Sequence, residues 1–386
     1  MKILFVADQY EHGGATEALI EMIHLLKTDF NIDSLVITGH EDEVGSRLEK
    51  ECIQHLFCGF RQFAIHKPQK GIRRLYLTLL KPYFMFKYYL ANKSAIKRAE
   101  KAIDFDEIDL IYSNTNRVDV GAYLAKRHNK RHIWHLRECP KGHFNLIYNR
   151  FRPFKYMNQS ADCFVAISDF VKREWVKIGL DENKIRVFYD GVNLEQIVPR
   201  DAKEIGNELK LVCVGEINEK KGQYIIIKAL RELSSFRIPI LLDFWGEGKE
   251  TYVEQLKQLT GLGDSIKISF RGFSNDIKNV LNKYDIGINP SVNEGFGRTT
   301  VEYMAAGLCV LALNSGANSE LIRDGENGFL FENPNDLSKR ISALVDDQTT
   351  LTKVADQGRQ WALMKMDMRS NLKDFVELFI SYKGDL

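Results

Sequence analysis

Apolar and polar positions follow two rhythms along the chain. Short continuous apolar runs occur at Ile3 to Ala7, Ile32 to Ile37, Leu110 to Ser113, His132 to Leu136 and Cys163 to Ile167, with longer amphipathic stretches between them. Runs of strand length that do not alternate with polar residues predict parallel strands buried on both faces, and the stretches between them predict covering helices. From Glu195 to Leu209 the periodicity is lost, and Pro199, Gly206 and mixed charge give that segment the character of a linker. A second alternation follows. Strands are predicted at Lys210 to Val214, Ile240 to Trp245, Ile266 to Gly272, Ile286 to Asn289 and Cys309 to Leu313, with helices at about Gln223 to Leu233, Glu250 to Leu259 and Arg298 to Ala306. Beyond Asp336 the pattern is helical only. It ends in Leu372, Phe375, Val376 and Phe379, a single apolar stripe that needs a surface to cover. The fold class expected is α/β with two domains.

Composition adds limits. The 386 residues are 44% hydrophobic and 27% charged, ordinary for a globular chain and enough for two cores. The six cysteines are scattered and several lie in apolar runs, as reduced core residues do, with no spacing that suggests zinc. Five apolar residues after Lys2 run straight into Asp8, so the first segment reads as a buried strand and not as a secretory signal. No window approaches the roughly 18 apolar residues that span a bilayer, so a cytosolic protein is expected. The net charge of +2 conceals a local excess: Lys67 to Lys101 holds ten Lys or Arg residues against the single acid Glu100. Tyr76, Tyr83, Phe84, Phe86, Tyr88 and Tyr89 interleave with these cations, the mixture of a helix lying in an anionic membrane interface. A structural helix with its aromatics turned inward is the other reading. Nucleic acid is not an expected partner, since basic runs alone are weak signals.

The chemistry concentrates in Asp285-Ile-Gly-Ile-Asn-Pro290, then Ser-Val-Asn, then Glu294-Gly-Phe-Gly-Arg-Thr-Thr-Val-Glu302-Tyr-Met-Ala-Ala-Gly307. A buried strand ends at Pro290, a polar loop follows, and a glycine-interrupted turn opens a helix at about Arg298. The N–H groups of Gly297 to Thr300 and the positive end of the helix dipole suit a diphosphate, with Gly295 and Gly297 allowing close approach. Glu302, one turn in, is an acceptor-only group suited to both hydroxyls of a ribose, and Glu294 to hydroxyls of a transferred sugar. Taken singly, Glu294 reads better as a loop acid and Glu302 as a helix-start acid favoured by the dipole.

This stretch resembles the retaining glycosyltransferases of family 4, of the bacterial surface-polysaccharide type, whose Glu-x7-Glu motif precedes a Glu-Ala-Met-Ala-x-Gly-like helix. Here Tyr303 replaces the usual alanine. Further segments resemble the family in order and spacing: Gly13-Gly14, Trp134-His-Leu-Arg-Glu138, Val165 to Ser168, Tyr189 to Asn193, Val214-Gly215 with Lys221-Gly222, Gly246 to Gly248, Arg271-Gly272 and Asn314 to Glu320. The resemblance implies a GT-B fold: two facing Rossmann-like domains with a cleft between them, residues 1–200 for the acceptor and 201–365 for the nucleotide-sugar donor, and a C-terminal helix (366–386) crossing back to the first. It implies transfer of a hexose or N-acetylhexosamine from a nucleotide-sugar, a UDP-sugar in the first instance, to a glycan or lipid-linked oligosaccharide, with retention of configuration, no cofactor and no metal.

By the same resemblance the catalytic residues are Glu294, His135 and Lys221. The donor is met by Gly14, Gly215, Lys221, Gly272, Phe273, Gly295, Phe296, Gly297, Arg298, Thr299 and Glu302, and the acceptor by Gly13, Arg137 and Glu138. Lys221 would offset charge on the leaving diphosphate. His135 would face the donor sugar across the cleft. Asp8, Gly13 and Gly14 follow the first strand at the end where α/β sheets bind ligands. One departure stands out: Glu216 occupies the position of a phosphate-binding arginine, and Arg298 is a possible substitute. The expected setting is the cytoplasmic face of a bacterial cell membrane, in capsule or exopolysaccharide assembly.

Three rival readings differ in chemistry. A Rossmann dehydrogenase fits poorly, because Asp8 to Glu17 lacks the Gly-x-Gly-x-x-Gly spacing. A nucleotide-sugar epimerase or phosphorylase of similar shape, and an inactive sugar-nucleotide binding module, stay open.

Overall fold

The computed structural model describes residues 1–7, 14–40, 44–66, 80–140, 146–201, 205–233, 238–261, 265–274 and 276–384. The chain divides into two compact units, Met1–Asp190 with Asn371–Leu386, and Gly191–Ser370.

In the first unit, strands β1 (Lys2–Ala7), β2 (Asp33–Thr38), β3 (His55–Phe57), β5 (Leu110–Ser113), β6 (Arg131–Leu136), β8 (Cys163–Ala166) and β9 (Ile185–Val187) form a parallel sheet in the order β3-β2-β1-β5-β6-β8-β9. Two short strands, β4 (Ala64–His66) and β7 (Leu146–Tyr148), pair antiparallel apart from it. β1 and β5 are buried almost throughout, as strands covered on both faces must be. Helix α1 (Gly14–Phe30) covers one face, and α2 (Lys81–Ala102) packs through Tyr88, Asn92, Ala95 and Ala99.

The second unit repeats the plan. Strands β10 (Leu209–Val214), β11 (Ile240–Trp245), β12 (Ile266–Gly272), β13 (Ile286–Asn289), β14 (Cys309–Leu313) and β15 (Phe329–Phe331) are parallel in the order β12-β11-β10-β13-β14-β15. Helices α3 (Gln223–Arg231) and α4 (Arg298–Ala305) follow β10 and β13. The segment from Glu195 onward belongs to this unit, where Arg200 is ion-paired with Asp285 and its N–H donates to the Ala306 carbonyl at 2.8 Å.

Helix α5 (Met368–Gly384) returns the chain to the first unit. Its stripe of Leu372, Phe375, Val376 and Phe379 is buried in the same core as Ile3, Phe5, Tyr112 and Ile133, with Phe375 stacked on Phe188 at 4.2 Å between ring centroids. Five cysteines are buried and Cys52 is exposed. Among the described residues no helix is long and apolar enough to cross a membrane. Residues 67–79 of the basic aromatic stretch lie outside the described residues, as do Asp8 and Gly13.

Candidate active site

The second sheet changes direction of winding at β10, which pairs with β11 on one side and β13 on the other. Open parallel sheets bind ligands beyond the carboxyl ends of the strands at such a point, where the loops after the two central strands part. The loop after β10 carries Lys221, and that after β13 carries Glu294. Gly222 lets them meet. It sits at φ +72°, and a Cβ there would overlap the Pro290 carbonyl. Across the contact the Val292 N–H donates to the Lys220 carbonyl at 3.1 Å. Lys221 Nζ then donates to Glu294 Oε2 at 3.0 Å. Burial works to lower the Lys221 ammonium, but the Glu294 carboxylate, helped by Cys213 and Glu216, outweighs it and holds the group above the ordinary lysine range. Lys221 is therefore charged at neutral pH.

Glu294 is fixed from its other side by the loop after β14. The Ala317 N–H donates to the Glu294 carbonyl at 2.8 Å, and Gly316 lies so close that any side chain there would strike the Glu294 backbone. Gly295 follows half-buried and Phe296 is buried. Gly297 is the N-cap of α4 and offers its first-turn N–H groups no side-chain acceptor. Thr299 is half-buried in that first turn. Under it runs a buried polar chain that the sequence reading did not single out. Asn289 Nδ2 donates to Thr300 Oγ1 at 2.8 Å, Thr300 Oγ1 to Asn318 Oδ1 at 3.2 Å, and Asn318 Nδ2 to the Leu313 carbonyl at 3.2 Å. Its one legible signal was Asn289, a polar residue closing an apolar strand. Glu302 is 9% exposed, and its Oε1 accepts from Arg298 Nε at 3.1 Å.

Tyr303 is fully buried. Its ring lies against Gly287 of β13, where a Cβ would collide with it, and its hydroxyl accepts from the Val214 N–H at 2.6 Å. The large side chain on the helix is thus matched by the missing one on the strand. Gly215, Gly246 and Gly272 line the carboxyl ends of β10 to β12: the Gly215 N–H donates to the Trp245 carbonyl and the Gly246 N–H to that of Gly272, each at 2.8 Å. Phe273 beside them is exposed. Glu216 is exposed, with its carbonyl accepting from Gln223 Nε2 at 2.9 Å.

In the first unit His135 lies near the end of β6 in a buried polar cluster. The ring is fully buried, with Nδ1 2.5 Å from the Tyr112 hydroxyl and Nε2 3.7 Å from Asp190 Oδ1. The period of two along β6 explains this, because Ile133, two residues earlier, faces the core that Phe375 and Phe379 fill. Burial, and then the charge of Arg137, hold the imidazole well below its usual range, so it is neutral. Arg137 is buried as well. It is ion-paired with Asp190, and its Nε donates to the Asn114 carbonyl and to Asn114 Oδ1, both at 3.1 Å. Glu138 is half-buried, and its carbonyl accepts from Trp175 Nε1 at 2.8 Å. Gly14 is exposed at the start of α1.

Comparison with known proteins bears on this geometry. Residues 196–361 match the model of glycosyl transferases group 1, and residues 42–196 that of glycosyltransferase family 4. The putative glycosyltransferase EpsD of Bacillus subtilis is 29% identical over 318 residues, 75% of this chain and 81% of EpsD. The putative colanic acid biosynthesis glycosyltransferase WcaL of Escherichia coli is 27% identical over 230 residues, 55% of each chain. The crystal structure of Anabaena HepE in complex with UDP and glucose shares the fold at a TM-score of 0.76 and 23% identity, covering 99% of this chain and 100% of that one. The chain is a glycosyltransferase. Its fold is GT-B, with one Rossmann-like domain in each unit.

Proposed function

We propose that the protein transfers a hexose or N-acetylhexosamine from a UDP-sugar to a growing glycan or lipid-linked oligosaccharide, with retention of configuration and without a bound metal. The observation that carries this is the meeting of Lys221 and Glu294 at 3.0 Å beside the start of α4, at the switch point of the second sheet. The diphosphate lies on the first turn of α4 with Lys221 offsetting the charge that develops as it leaves. Glu294 accepts hydroxyls of the transferred sugar, Glu302 those of the ribose, and the base lies near Gly272 and Phe273. WcaL, named for colanic acid biosynthesis, supports a polysaccharide as product.

The acceptor is presented at an anionic membrane surface. Tyr83, Phe86 and Leu90 are exposed on α2 on the face opposite buried Tyr88, Asn92 and Ala95, and the same exposed face continues into Lys93, Lys97 and Lys101. Apolar rings beside a row of lysines suit a headgroup boundary. The test is incubation with a panel of nucleotide sugars and a polyprenol-linked acceptor. Nucleoside diphosphate release coupled to acceptor growth, persisting in excess chelator, is expected; a free epimer as the sole product would overturn the proposal.

A further inference from the structure

Each glutamate of the spaced pair has a cation of its own. Glu294 holds Lys221 from another loop, whereas Glu302 holds Arg298 from the same helix, four residues back. Pairs at this spacing on a solvated helix contribute little, because water screens them and both side chains are mobile. This one differs in two respects. The side chains are only 16% and 11% exposed, and the donor is Nε, at the root of the guanidinium plane, 3.1 Å from Oε1. A bond from Nε ties the carboxylate to the stem of Arg298 and limits its rotation. An ionised carboxylate offers about four acceptor sites. The bond from Nε sets the orientation in which that carboxylate meets neighbouring hydroxyls. The pairing also compensates the charge of a carboxylate that stands one turn from the expected diphosphate.

We propose that Arg298 is a positioning residue which orients Glu302 toward the 2′,3′-diol of the donor ribose, so that the enzyme prefers ribonucleotide donors over their deoxy counterparts. This rests on the donor reading given above. It also gives Arg298 a different task from phosphate binding, the substitution suggested by Glu216.

The experiment measures binding of UDP and 2′-deoxy-UDP by calorimetry to the full chain and to Arg298→Leu, Arg298→Lys and Glu302→Gln, with thermal melting of each. The parent is expected to favour UDP by about tenfold or more, the scale of one hydrogen bond to a charged acceptor. Arg298→Leu is expected to bring the preference to within about threefold. Arg298→Lys, which keeps the charge but not the planar fork, is expected to fall between, and it decides the matter should the leucine variant fold poorly. Both nucleotides weakening equally in the arginine variants, with the preference intact, overturns the proposal and leaves Arg298 a structural residue. If Glu302→Gln keeps the full preference, or if the parent binds no UDP, the donor reading itself fails.

Discussion

Lys221 and Glu294 come from loops 73 residues apart in sequence and hold each other at 3.0 Å. Replacing either removes the ion pair that holds the other in place in a half-buried site. Lys221→Ala and Glu294→Ala are each expected to lower turnover roughly a hundredfold, the scale of one lost electrostatic contact in the transition state. Near-full activity in Lys221→Ala would put the diphosphate elsewhere. A second residue governs stability. His132 is buried, its Nδ1 3.1 Å from the Ser160 carbonyl and its Nε2 2.9 Å from Ser113 Oγ. Burial pushes it down to about 4, against the opposing pull of the Ser160 carbonyl and Asp162, from an ordinary 6.5. The folded state therefore binds fewer protons than the unfolded state between those values, so its stability is full above about pH 6.5 and is lost as pH falls toward 4. The loss attributable to His132 at pH 5 is about 2 kcal/mol. Urea unfolding of parent and His132→Gln at pH 7 and pH 5 checks this: the variant is expected to lose less on acidification, and equal losses would contradict it.

At the scale of elements, the central strands were legible because they are buried on both faces and so read as unbroken apolar runs; β1, β5, β10, β13 and β14 fall within a residue or two of their expected bounds. The outer strands β3, β9 and β15 were not. Each has three residues, and with His55 or Arg186 inside the run there is no pattern long enough to read. The same limit applies to the site. Glu294, Lys221 and Glu302 are singled out by residue type and spacing, but the burial of His135 depends on which side of β6 the helix α5 covers, and that helix begins more than two hundred residues later. In α2 the aromatics divide, since Tyr88 is buried and hydrogen-bonded to Asp119 while Tyr83, Phe86 and Tyr89 are exposed. Vesicles containing phosphatidylserine are expected to float the parent at low salt and to lose Phe86→Glu with Leu90→Glu, because two carboxylates in the headgroup region cost both burial and attraction. Parent protein that stays unbound at low salt removes the membrane from the proposed function.

For the whole molecule, the first unit is assembled from both ends of the sequence, and the second is one continuous segment between them. α5 carries only residues 371 onward of that first unit, yet it supplies four buried side chains to its core, two of them phenylalanines in edge contact with Tyr112 at 5.8 and 5.9 Å between centroids. A chain ending at Ser370 would leave the sheet face under α5 open, a contiguous apolar surface that soluble proteins rarely tolerate. The second unit contributes none of those residues and keeps its own core intact. Truncation is therefore expected to act on one unit alone. The shortened chain should bind a hydrophobic dye, aggregate through its first unit and lose activity, while limited proteolysis still yields a protected fragment close to Gly191–Ser370. Phe375→Ala in the full chain should lower the stability of the first unit by about 3–5 kcal/mol without shifting the second transition. A truncated chain that remained soluble, folded in both units and active would mean that the stripe covers nothing the first unit needs.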